Sequence, residues 1–257
     1  MRLSFLLVGL MLAGVLQARA QINTEKERWF EEGTRGILGG DLTLLSGNTE
    51  AISIGGRVRL DVRQGKQYAF LVGHARYGES RQQRYQESYF SHARYNYDLT
   101  RRFVGEGFAQ VERNAFTLLQ LRALLGGGLR FRYAPTYPRD QQRIGLFQGT
   151  ALMYEFENLD AAEAGDHPAT VNGARWSNYV NLRFRLNDRT SLIHTVYVQA
   201  HLDDFADVRF LDEASLVLGI TRHVRFDLTF NLRYDSRPPG DVKSTDLALR
   251  NGMTVTF

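Results

Sequence analysis

The sequence predicts an all-β protein: a transmembrane antiparallel up-and-down β-barrel of twelve strands occupying residues 36–257. Three observations carry the prediction. Period-two alternation of apolar and polar residues recurs down the chain, whereas helical apolar spacing never persists beyond a few residues. After residue 20 no segment approaches the roughly 18 to 20 consecutive apolar residues that a spanning helix needs, so a membrane role has to come from strands. At the end of the chain Leu247, Leu249, Met253, Val255 and Phe257 share one face, and Ala248, Arg250, Gly252, Thr254 and Thr256 the other. A strand with one apolar and one polar face is what a barrel needs to close while facing lipid, and the aromatic at position 257 is expected to act as the signal read by the outer-membrane assembly machinery.

Residues 1–20 read as a secretory signal peptide. Arg2 gives the early positive charge, Leu3 to Leu16 the apolar run, and Ala18-Arg19-Ala20 a small-x-small cleavage site, which would make Gln21 the first mature residue. Residues 21–35 form a periplasmic N-terminal segment. Its Glu25, Lys26, Glu27, Arg28, Trp29 and Phe30 suit either a short helix at the inner mouth or, more simply, a frayed terminus. The absence of cysteine leaves sheet hydrogen bonds and packing to stabilise an exported chain. Losing Arg2 and Arg19 takes the formal charge from +4 to about +2, which argues against a nucleic-acid partner. Lysine occurs only as Lys26, Lys66 and Lys243, and arginine supplies the other cations. Arginine's planar, multidentate fork suits a crowded polar interior.

The strands are expected at 36–45, 51–63, 67–79, 87–99, 103–113, 119–133, 143–156, 175–187, 190–202, 208–221, 224–235 and 244–257. Their even number fits a bacterial single-chain barrel. The eleventh sets Val224, Phe226, Leu228 and Phe230 against Arg225, Asp227, Thr229 and Asn231, and the second sets Ile54, Val58, Leu60 and Val62 against Arg57, Arg59, Asp61 and Arg63. An Arg on the lipid face near mid-membrane costs roughly 2–4 kcal/mol, so the charged faces should turn inward. That places Arg57, Arg59, Asp61, Arg63, Arg76, Arg94, Arg122, Arg130, Arg132, Arg183, Arg185, Arg225, Asp227, Arg233 and Arg250 in the lumen, with Asp98, Glu106, Glu112, Glu155, Asp235 and Asp246 as further acids. With both barrel termini in the periplasm, the outer loops (46–50, 80–86, 114–118, 157–174, 203–207, 236–243) are longer on average than the inner turns. Two aromatic belts follow, one around Tyr89, Tyr154 and Trp176, the other around Tyr95, Phe103 and Tyr133. Two places break the pattern. Asp212 and His194 fall on apolar faces, and for Asp212 a bulge near Leu211 or a membrane boundary at Ala214 would be a remedy. Gly126-Gly127-Gly128 leaves bare backbone that a neighbouring aromatic could cover.

The segment from Gly39 to Glu50, with its Ser46-Gly47-Asn48-Thr49 turn, resembles the opening of a family of outer-membrane proteins of unknown function described as salt-induced. The Tyr89, Arg94, Tyr95, Tyr97 strand and the glycine-bearing strand ending at Tyr133 extend the similarity. The resemblance implies an outer-membrane barrel and brings no ligand, activity or catalytic residue with it.

Three functional readings compete. The first is an envelope-associated structural barrel whose narrow lumen is filled by Arg–carboxylate pairs, since each buried charge must find a partner. The second is a small anion-selective channel for acidic solutes, since rings of Arg favour anions. The third, an outer-membrane enzyme such as a phospholipase, is disfavoured, because Ser91 and His92 are strand neighbours on opposite faces and no other Ser–His arrangement stands out. No catalytic residue, metal site or cofactor is expected. The partners expected are outer-membrane lipid and the barrel-assembly machinery, with the protein itself a monomer.

Overall fold

A computed structural model of the chain describes residue 23 and residues 31–45, 51–80, 83–133, 143–160, 162 and 167–256. The expected signal peptide, its cleavage site, most of the N-terminal segment and Phe257 lie outside these residues. Twelve strands form one closed barrel in which every strand pairs with its sequence neighbours and β12 returns to β1. They are β1 (Gly33–Leu45), β2 (Ala51–Gln64), β3 (Gln67–Ser80), β4 (Gln83–Asp98), β5 (Phe103–Asn114), β6 (Leu119–Arg132), β7 (Ile144–Leu159), β8 (Thr170–Arg185), β9 (Thr190–His201), β10 (Val208–Gly219), β11 (Val224–Asp235) and β12 (Thr245–Thr256). All pairings are antiparallel, so β1 begins and β12 finishes at the same end, here called proximal; the other end is distal.

The burial pattern is inverted relative to a water-soluble protein. Arg122, Arg130 and Arg175 are among the most deeply buried side chains, while Leu125 and Leu249 are 68% and 62% exposed. Water would not tolerate an apolar exterior of this extent, and only lipid makes it favourable. Leu60, Leu71, Leu129, Leu152 and Phe230 continue the exposed belt around the circumference. Aromatics border it at both ends: Tyr89, Tyr154, Trp176 and Tyr234 distally, and Tyr95, Phe103 and Tyr133 proximally, all outward. Phe103 packs on Phe131 at 5.1 Å and Phe131 on Tyr133 at 4.8 Å, edge to face. The fold is a transmembrane β-barrel.

Several boundaries differ from the sequence expectation. β1 starts at Gly33, so Gly33 to Arg35 belong to the barrel and not to the preceding segment. β7 runs on to Leu159 and β8 starts at Thr170, which shortens the loop expected at 157–174 to 160–169. Likewise β4 begins at Gln83, leaving only residues 81 and 82 between β3 and β4. The outward residues Asn158, Thr170 and Asn172 on these extensions are polar, so apolar alternation fades although the ladder continues. Much of the expected loop asymmetry is therefore strand.

The two irregular places resolve differently. No register shift interrupts β10, which pairs continuously with β9 and β11. His194 and Asp212 both face lipid without a bulge, and His194 Nε2 lies 2.7 Å from Asp212 Oδ1. Each polar group satisfies the other, which the one-strand pattern did not reveal. At the glycine cluster Phe108 of β5 lies over Gly126, where an added Cβ would come within 2.5 Å of its ring. An added Cβ at Gly128 would meet the Thr150 carbonyl at 2.1 Å, so β6 and β7 approach there as only glycine allows.

Candidate functional site

The chemistry-bearing residues of this chain converge on the lumen, in three layers. The proximal layer is built on Asp61 of β2. Arg35 reaches it across the β1–β2 pair through Nε and Nη2 at 3.2 and 2.7 Å, and Arg59 donates from Nε and Nη2 at 3.0 and 2.9 Å to Oδ1. Tyr68 of β3 donates a further hydrogen bond to Oδ1 at 2.6 Å. Two guanidinium groups and a phenol thus surround one fully buried carboxylate, which satisfies the charge that burial would otherwise penalise. Arg59 also lies over the Phe70 ring at 4.0 Å, and Arg132 pairs with Asp98 beside it.

In the middle layer Glu106 of β5 accepts from the Tyr179 hydroxyl of β8 at 2.7 Å and stands 3.6 and 3.7 Å from Arg94 and Arg130. Tyr179 reaches inward over Gly149, where a Cβ would sit 2.0 Å from its ring. Arg130 packs on Phe147 at 4.4 Å. Beside this layer the inner faces of β3 and β4 contribute an aromatic wall: Phe70, His92, Phe90 and His74 stack at 5.9, 6.2 and 4.7 Å between successive rings.

The distal layer is the densest. Glu155 of β7 accepts from Arg122 (Nε 3.2 Å, Nη2 2.6 Å), Arg175 (3.2 Å) and Arg209 (2.7 Å), which come from β6, β8 and β10. Arg209 also binds Glu157 and Asp235 at 2.9 and 3.0 Å, and Arg175 grips Asp207 with two bonds of 3.0 and 2.9 Å. Strands up to three places apart around the barrel are thereby tied together by charge-assisted hydrogen bonds. Above them is a distal cavity of about 60 Å³ lined by Arg209, Arg233, Asp235, Arg237 and Lys243. At its rim Arg237 pairs with Asp204; the Ala206 amide and that guanidinium hold the Asp204 carboxyl below its ordinary range.

Of the residues expected in the lumen, Arg59, Asp61, Arg63, Arg94, Arg122, Arg130, Arg132, Asp227 and Arg233 are buried there, and Arg57, Arg183, Arg225 and Arg250 are half-buried on inward positions. Arg185 differs: at the proximal end of β8 it is exposed, because the strand ends with it. Arg183 donates to Asn181 at 3.0 Å. Arg57 donates to the Thr254 hydroxyl at 3.0 Å, and that hydroxyl donates to Asp227 at 2.9 Å. Sequence reading missed Arg35, Arg175, Arg209, Glu157 and Asp207, all at or beyond the expected strand ends. It also missed the inward Tyr68, Phe70 and Phe90, whereas alternation in the eighth strand already sets Tyr179 with Asn181 and Arg183 on the inward face. Alternation with the outward neighbours was the available signal for Arg209, but in β3 both faces are apolar. Among the described residues no group of three His, Asp or Glu side chains is placed to hold a metal ion. Ser91 is exposed outward while His92 is buried inward, 3.1 Å from Gln110.

A family model for a protein of unknown function, DUF481, matches residues 38–257. The chain belongs to that family. No curated protein matches it. Among solved structures, the NanC porin is 12% identical, with a TM-score of 0.46 over 86% of this chain and 97% of that one. The translocator domain of the autotransporter NalP from Neisseria meningitidis is 12% identical, with a TM-score of 0.48 over 88% of this chain and 89% of that one. The KdgM porin, solved in complex with disordered oligogalacturonate, is 10% identical, with a TM-score of 0.45 over 87% and 99%.

Proposed function

We propose that the protein is an outer-membrane barrel, inserted as a monomer, whose lumen is closed by its own side chains and whose role is structural within the envelope. The observation that supports this most directly is the Glu155 node. Three guanidinium groups from three strands meet one carboxylate and extend through Glu157, Asp207 and Asp235 across the distal bore. Twelve strands leave a narrow bore to begin with. The Asp61 and Glu106 layers and the aromatic wall reduce it further below that node. Purified protein in a planar lipid bilayer should give small or no single-channel conductance, and a large steady conductance would overturn the reading.

A second reading, a small channel for anionic solutes, draws on the excess of inward Arg over inward acids. Anion selectivity of any residual conductance, lost when Arg57 or Arg250 is neutralised, would favour it.

A further inference from the structure

Arg250 of β12 stands apart from the other lumen cations. Its Nε and Nη2 are buried without a hydrogen-bond partner. These two atoms form one edge of the guanidinium plane, the edge whose parallel N–H bonds match two oxygens of a carboxylate or phosphate. In Arg63, Arg130 and Arg225 the same two atoms also lack a hydrogen bond, but each of those guanidinium groups has a carboxylate at 3.7–3.9 Å, whereas among the described residues no ion pair reaches Arg250. In other lumen arginines the edge is filled. Arg122 sets Nε and Nη2 on Glu155, and Arg35 and Arg59 set theirs on Asp61.

The local charge balance favours an anion at the open edge. Arg250 feels the positive charges of Arg233 and Arg76 and a single nearby carboxylate, Glu213. That carboxylate is already engaged: Asn231 donates to Oε2 at 3.1 Å and Asn23 to Oε1 at 3.0 Å. A route from outside exists in outline. Asp246 and Arg233 line the distal cavity, and Asp246, Ala248 and Arg250 follow one another on the inner face of β12. The residue between Asp246 and Arg250 on that face is the small, buried Ala248.

We propose that the Nε/Nη2 edge of Arg250, flanked by Arg233 and Arg76, is a binding site for a small oxyanion, a carboxylate or phosphate group on a solute entering from the distal mouth. The site stands whether or not the bore conducts, since binding needs access from one side only.

Thermal unfolding of the detergent-folded barrel in chloride buffer, titrated with inorganic phosphate or with acetate, tests it. Phosphate or acetate should raise the wild-type midpoint saturably, whichever is larger naming the preferred group. Arg250→Gln should lose that rise, and Arg250→Lys, which keeps the charge without the fork, should need roughly tenfold more anion for the same rise. Arg113→Gln, on the outer face, should behave as wild type. Because Arg250 meets no acid among the described residues, Arg250→Gln should be at least as stable as wild type in chloride alone. Equal anion responses in wild type and Arg250→Gln, no response in either, or an Arg250→Gln barrel that fails to fold would each overturn the site. Conductance does not enter this test, so occlusion and anion binding can fail separately.

Discussion

The two sides of the lumen solve the same electrostatic problem in opposite ways. From β4 through β8 and on to β10, each deep Arg layer is built around a carboxylate: Glu106 takes Arg94 and Arg130, and Glu155 takes Arg122, Arg175 and Arg209. Along β11 and β12, and at Arg57 of β2 distal to the Asp61 layer, the acids are more distant. Arg225 stands 3.9 Å from Asp227, Arg57 is linked to Asp227 through Thr254, and Arg250 has its side edge open. Burial sets what each side can be. A shared, multiply bonded carboxylate stiffens the wall that holds it, whereas cations with loose partners leave donors that a mobile anion can use. One wall is a strut and the other a candidate binding surface.

The largest expected effect comes from breaking the strut. Glu155→Gln removes the charge that three buried guanidinium groups share, leaving them only Glu157, Asp207 and Asp235, and should cost about 3 kcal/mol of unfolding free energy, measured by denaturant titration of the folded barrel. A loss no greater than that of Arg250→Gln would erase the distinction between the walls. Gly149→Ala acts on the same wall through packing. Its Cβ would lie 2.0 Å from the Tyr179 ring, so Tyr179 must leave Glu106, at about 1–3 kcal/mol. If the variant keeps wild-type stability, Tyr179 is not a fixed member of the middle layer. The smallest effect is expected outside the lumen. Replacing His194 and Asp212 together by Leu should be neutral or stabilising by about 1 kcal/mol, because a lipid-facing polar pair is exchanged for apolar surface. A clear loss would show that this pair contributes more than mutual satisfaction.

How much of this was legible follows from what each face touches. Lipid admits only apolar side chains, so the outward face of β2 or β11 announces itself, and with it the inward Arg57, Arg59, Asp61, Arg225 and Asp227. The lumen has no such rule. Tyr68, Phe70 and Val72 are inward on a strand whose outward residues Ala69 and Leu71 are also apolar, so β3 carries no contrast. Arg175 was hidden for another reason: it stands at the expected start of its strand, where pattern gives no neighbour on one side. Which acid each Arg would meet depends on register across strands up to three places apart around the barrel. Alternation along one strand says nothing about that.

The closure of the barrel has its own consequence. β1 pairs with β2 along its whole length, from Gly33 to Leu45, but the described pairs across the β1–β12 seam are Ile37 with Thr256 and Leu38 with Val255. Among the described residues that join is short, and a hoop is only as strong as its shortest join under outward tension. Any sideways load on the wall, from bilayer thinning or from a neighbour pushing in the membrane plane, is borne first by those few hydrogen bonds, and the stiff Glu155 side can neither share nor relieve it. The molecule therefore has a rigid back and a clasp, and the clasp lies between the two strands that begin and end the circle.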